Sequence, residues 1–185
     1  MKHTKKLFIL IPLIYFALVF VSIMITYNSY NNLIDVKNTE IVMSEIQSSL
    51  IPPSPIDISE EITDIKIIRT EKTNRIYAVL FSYSDGETHY GIELFRESFL
   101  FKNRYEKYGS DNGTKDVGYY HFSEEGNGEK NELVVCYGNC SESGKTECVV
   151  TAEDDCFFRE PVSGTFVNIY EFKCRADEHV FVYYN

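Results

Sequence analysis

From Leu7 to Tyr27 the chain reads LFILIPLIYFALVFVSIMITY, 21 residues without a charge. At 1.5 Å rise per residue, a helix of that length covers about 30 Å, the thickness of a bilayer's hydrocarbon core. Its polar members are Ser22, Thr26 and two tyrosines; a helix can return hydroxyl protons to its own carbonyls, so these cost little in lipid. Pro12 falls early in the span, where a membrane helix tolerates a kink. Tyr27 and Tyr30 fall where an outer aromatic belt would lie. A cleaved leader peptide is the competing reading. Its apolar region would be about 7–15 residues, closed by small residues at a cleavage site. This run is longer, no such site follows, and no cysteine stands just after it for lipid attachment. Residues 7–27 are therefore expected to form an uncleaved transmembrane helix, with the lipid bilayer as its partner.

Charge sets the expected orientation. Lys2, Lys5 and Lys6 precede the span and the next lysine is Lys37. The excess of basic residues at one end keeps residues 1–6 in the cytoplasm and sends the remainder across. With three of the 18 basic residues left behind, the exported part carries 15 against all 28 acidic ones, a net of −13. Such a charge favours solubility and excludes long-range attraction to a nucleic-acid backbone or an anionic surface for the chain as a whole.

Residues 28–55 read as a partly helical stalk or linker. Val42, Met43, Ile46 and Leu50 recur at helical spacing, with Thr39 as the expected N-cap. The helix either packs on the folded domain or stands free, and IPPSP (51–55) ends it. From residue 56 the pattern changes to period two. Strands are expected at Ile65–Thr70, Ile76–Tyr83, HYGIELF, Phe99–Tyr108, VGYYHF, ELVVCYG, ECVVTA, TFVNIYEFKC and HVFVYY, which makes nine or ten with any further short one. Asp85-Gly86 marks a hairpin, DNGT (111–114) a turn, and EEGNGEK (124–130) a polar loop. Fourteen Tyr and thirteen Phe suit pleated surfaces. The expected fold is an N-terminal transmembrane helix plus a mainly-β domain over 56–185, an antiparallel sandwich or curled sheet. An α+β domain is the alternative, since FRESFLFKNRYEKY could be helical.

Five cysteines crowd the C-terminal third with the spacing C-x3-C-x7-C-x7-C-x17-C. A zinc site usually matches one short knuckle with a second. Cys136 and Cys140 could form one, but no partner pair follows. A redox motif wants C-x-x-C at a helix N-terminus, and CYGNC follows a strand. On the exported side thiols form lasting disulfides, so Cys136, Cys148, Cys156 and Cys174 are the candidates and Cys140 the possible free thiol. If LVVCYG and ECVVTA form a hairpin about Ser141–Ser143, Cys136 lies opposite Cys148, with Cβ atoms about 4.5–5.5 Å apart. Cys156 and Cys174 could join the strands that follow. Other pairings remain open.

No catalytic constellation emerges. His89, His121 and His179 stand singly. The acidic pairs Glu60-Glu61, Glu124-Glu125 and Glu153-Asp154-Asp155 suit a solvated rim better than paired general acid and base. SDNGTKD lacks the calcium-loop order, and no nucleotide or hydrolase fingerprint is present. No cofactor, metal or nucleic-acid partner is expected.

The stretches RIYAVLFSYSDGETHYGIELF, NRYEKYG, LVVCYGNCSESGKTECVVT and TFVNIYEF resemble the small membrane-anchored extracytoplasmic β-domains of Gram-positive bacteria, over roughly residues 65–172. Those domains are largely without assigned function, so the resemblance implies architecture and location rather than an activity. The cysteines depart from the pattern. Together these observations lead to the expectation of a non-enzymatic envelope module that contacts an envelope protein or ligand. An envelope enzyme of thiol-redox or hydrolytic type is the alternative.

Overall fold

The computed structural model describes residues 2–50, 62–141, 143–153 and 155–185; its side-chain description starts at Ile14 and omits Asp155 and Cys156. The IPPSP segment and Glu60-Glu61 lie outside the described residues. The chain is mainly β, in antiparallel sheets, with an apolar helix at its N-terminus.

Helix α1 (Lys2–Asn31) contains no glycine, and from Ile14 to Tyr27 its side chains are apolar apart from the hydroxyls of Tyr15, Ser22, Thr26 and Tyr27. Ser22 donates to the Leu18 carbonyl at 2.9 Å and Thr26 to the Ser22 carbonyl at 2.8 Å, so the span's serine and threonine hydroxyls are satisfied within the helix. From Ile14 to Asn31 every residue is exposed, and this stretch of the helix is long and apolar enough to cross a membrane. A short connection then adds one antiparallel bridge to the domain, with Ile34 and Tyr105 exchanging backbone hydrogen bonds of 2.6 and 2.9 Å.

Helix α2 (Thr39–Leu50) follows. Its N-cap is Asn38, one residue before the expected Thr39: the Asn38 Oδ1 accepts the Glu40 and Ile41 N–H groups at 3.1 and 3.4 Å. Asparagine caps because its short carbonyl reaches donors that the first turn leaves unpaired. Val42 and Ile46 are buried against the β domain, so this helix packs rather than standing free.

Ten strands follow among the described residues: β1 (Thr63–Thr73), β2 (Ile76–Ser84), β3 (Thr88–Glu97), β4 (Tyr105–Thr114), β5 (Val117–Gly126), β6 (Glu129–Asn139), β7 (Glu147–Ala152), β8 (Asp155–Pro161), β9 (Thr165–Arg175) and β10 (Val180–Tyr184). They form a first sheet β1-β2-β3-β4, a central sheet β5-β6-β9 and an outer sheet β10-β7-β8. The Asp85-Gly86 hairpin joins β2 to β3, with Gly86 at φ 107°.

Three expectations need correction. The strand expected from Phe99 begins only at Tyr105, because residues 98–104 form a loop with Asn103 in the left-handed region. DNGT is no turn. Asn112 pairs with Gly91 and Thr114 with Tyr90, so Gly113, at φ 93°, is an extra residue accommodated as a bulge. EEGNGEK is no loop: β5 and β6 run through it and turn on Asn127-Gly128, both at positive φ, which is the two-residue hairpin that Asn-Gly favours.

Side chains alternate between three apolar clusters. Val79, Phe81 and Phe95 meet Val42 and Ile46 of α2. The opposite faces of β2 and β3, through Ala78, Leu80, Ile92 and Leu94, meet Leu133, Val135 and Tyr137 of β6 and Val167 of β9. The other face of the central sheet, through Val134, Cys136, Phe166 and Tyr170, meets Cys148 and Val150 of β7 and Val162. Strands buried on both faces show unbroken apolar runs rather than alternation. That is why IYAVLF and LVVCY read as they do.

Candidate functional site

The four cysteines with described side chains occupy three different environments. The expected β6–β7 hairpin is not formed: β6 pairs with β5 and β9, while β7 pairs with β8 and β10. Seven residues, 140–146, carry the chain from the central sheet to the outer one instead. Cys136 and Cys148 nevertheless meet, as residues on facing sheets rather than on paired strands. Their sulfurs are 3.0 Å apart, and both side chains are fully buried. No disulfide is present among the described cysteine side chains, Cys136, Cys140, Cys148 and Cys174 all being thiols. Cys136 donates to Cys148; that bond, with burial, holds the Cys136 pKa well above the ordinary thiol range, while the same bond pulls Cys148 down. The phenols of Tyr170 and Tyr184 line the pair, both raised chiefly by burial.

Cys140 is buried at the start of the crossing segment and donates to the Gly164 carbonyl at 3.4 Å. Cys156 lies on β8, and its side chain is outside the described residues.

Cys174, on β9, belongs to a polar cluster that the sequence reading missed. At its centre is Glu132 of β6, with a side chain 2% exposed. His121 Nε2 lies 2.7 Å from one carboxylate oxygen; Ser123 Oγ donates to the other at 3.0 Å and the Cys174 thiol at 3.5 Å. A signal for it existed in the sequence. The Asn127-Gly128 turn sets a register in which Ser123 stands opposite Glu132, with His121 two residues along the same face. The arrangement does not suit nucleophilic catalysis. Serine and histidine bond to the same carboxylate rather than to each other, so no base stands ready to activate a hydroxyl. The Cys174 pKa is pushed up to about 11 by burial and by its bond to Glu132, so the thiolate is suppressed. The cluster instead satisfies a buried carboxylate, which would be costly without partners.

An open cleft of about 380 Å³ lies between the first and central sheets, with Tyr108 and Phe122 in its wall and Arg75, Arg96, Glu171 and Lys173 around it. Its basic side chains each have a partner. Arg96 makes two bonds to Glu106 at 3.0 and 2.8 Å, Lys173 pairs with Glu129 at 3.2 Å, and Arg75 donates to the Glu97 carbonyl at 2.9 Å. The cleft therefore offers an aromatic wall rather than an unpartnered cation.

A second buried carboxylate, Glu93 of β3, is fully covered. Ser49 of α2 donates to it at 2.7 Å and Lys107 of β4 stands 2.9 Å away. Burial raises its pKa against the opposing pull of these two partners. His89 stacks on Tyr83 with ring centroids 5.3 Å apart and reaches Asp85 at 2.7 Å. It lies near neither cluster's carboxylate. No group of three or more His, Cys, Asp or Glu side chains among the described residues is placed to hold a metal ion. Comparison with protein-family models, with curated proteins and with solved structures finds no match for this chain.

Proposed function

We propose that this chain is a single-pass membrane protein, N-terminus in the cytoplasm, whose layered β-sandwich lies outside the membrane and serves as a non-enzymatic binding module of the cell envelope. The observation that carries the reading is α1: an apolar helix whose residues from Ile14 to Asn31 all stay exposed, touching the domain only near its C-terminal end. A free apolar surface of that extent needs lipid. The three lysines before it supply the orientation. The partner is an envelope protein or ligand.

The same reading assigns Cys136 and Cys148 to a structural disulfide. Their thiols lie in contact across two sheets, and an exported domain meets oxidants. Formation removes two electrons and two protons, both taken by a disulfide-bearing thiol oxidase of that compartment, and leaves one S–S bond. A thiol-redox enzyme would instead present an accessible thiol of lowered pKa; this pair is fully buried. One preparation tests both points. In intact cells producing the chain with a C-terminal epitope, external protease is expected to remove the epitope. Non-reducing peptide mapping is expected to recover the segments holding Cys136 and Cys148 as one linked species. A protected epitope overturns the topology, and separately alkylated segments overturn the bridge.

A further inference from the structure

Outside α1, the most exposed large apolar side chains among the described residues are neighbours on the β3–β4 loop: Phe99 is 88% exposed and Leu100 75%. The loop that carries them is well tied. Ser98 N–H donates to the Arg104 carbonyl at 2.7 Å, and Asn103 N–H donates to the Glu97 carboxylate at 2.8 Å. The Ser98 hydroxyl accepts the Leu100 and Phe101 N–H groups at 3.3 and 3.4 Å. Two apolar side chains are thus held outward by an ordered turn.

The next residues fasten this loop to α1. Phe101 packs edge-on against Tyr30, with ring centroids 5.4 Å apart. Arg104 lies over the same ring at 4.6 Å and donates twice to its hydroxyl, at 3.0 and 2.6 Å. Below that junction Phe101 joins Leu18, Val19, Ile23 and Tyr27 around an apolar furrow of about 560 Å³ along the helix. Arg75, whose guanidinium is 5.9 Å from the Phe99 ring, and exposed Lys102 flank the tip. An aromatic and aliphatic tip with a basic rim, set beside the end of an apolar helix, has the composition of a bilayer interface.

We propose that the β3–β4 loop is a second membrane contact. Phe99 and Leu100 enter the leaflet from which α1 emerges, a lipid acyl chain occupies the furrow beside Phe101, and Arg75 and Lys102 meet headgroup phosphates. The proposal rests on the reading that α1 spans the bilayer. Two points of attachment, rather than one, would fix how the domain is turned on the membrane.

The chain contains no tryptophan, so single substitutions give unmixed reporters. The full-length F99W, Y27W and F181W variants are reconstituted into vesicles of phosphatidylcholine and phosphatidylglycerol, with and without bromine on shallow acyl carbons. The F99W reporter is expected to emit at shorter wavelength than F181W, which sits exposed on β10, and to lose at least about half its intensity to the bromines. Y27W reports the span itself and is expected to be quenched as well. If Y27W is quenched and F99W is not, the loop contact is wrong and the anchor stands. If neither is quenched, the anchor fails and the loop contact with it. Blue-shifted but unquenched F99W emission means that protein covers the tip, and equal quenching of F99W and F181W means unspecific adhesion; either overturns the proposal. Phe99 touches little of the fold, and Leu100→Trp repeats the readout one residue on.

Discussion

Glu93 keeps a carboxylate where the first sheet meets α2, held by Ser49 and Lys107. Its folded pKa lies above the unfolded value because burial outweighs those partners. A raised acid binds more protons folded than unfolded, so its contribution is fully present below the unfolded pKa of about 4.5 and is lost as pH climbs through the folded value. Glu93→Gln is neutral at every pH. The variant is expected to lose less stability than the parent between pH 4.5 and 8, read from urea midpoints across that range; parallel curves would refute it. Neither buried carboxylate stands out in the sequence, since GIELF and NELVV look like ordinary alternation with an acid on the wet face. What put Glu93 inside is that both faces of β3 are covered, a fact about the whole chain rather than about its neighbours.

Among the elements, α2 departs furthest from a simple linker. Its helical spacing was legible, and Val42 and Ile46 are the residues it buries. Whether they found a surface depended on the far face of β2 and β3, which local pattern could not report. Ile46 is fully buried among Val79, Phe81 and Phe95. Ile46→Ala is expected to cost about 2–5 kcal/mol of unfolding free energy, by transfer and cavity together, measured by urea denaturation of the detergent-solubilised chain. A cost below about 1 kcal/mol would mean that the helix does not dock in solution. The strands divide in the same way. Long apolar runs located β2, β3 and β6 well, whereas β8 carries only CFFREP between charged residues and was not singled out. Turn chemistry was read correctly at Asp85-Gly86. It was misassigned at Asn112-Gly113, where the strand absorbs a glycine as a bulge, and at Asn127-Gly128, where the hairpin is tighter than a polar run suggested.

For the whole molecule, the sequence carried the β class and the apolar N-terminal helix, but not the order of the sheets. Cys136 and Cys148 illustrate the limit. Their proximity was anticipated through a hairpin that does not exist, and it arises because the segment after β6 crosses to another sheet. Strand spacing alone does not distinguish a return within a sheet from a crossing between two. A bridge there would close a loop of about a dozen residues, worth on the order of 2–3 kcal/mol by loop entropy. Adding reductant is therefore expected to lower the urea midpoint of the parent chain and to leave a Cys136→Ala/Cys148→Ala variant unmoved. An equal response from both would count against the bridge.

The connection between the two helices bears on distance. Seven residues, 32–38, separate α1 from α2, and part of that length is spent on the bridge from Ile34 to Tyr105. With α2 fastened to the first sheet, no slack is left in this stretch to act as a leash. On the reading that α1 crosses a bilayer, the domain has no long tether with which to search the surrounding wall. Its ligands must come down to the lipid surface or already reside there, and for the resident ones encounter is governed by two-dimensional diffusion in the same membrane.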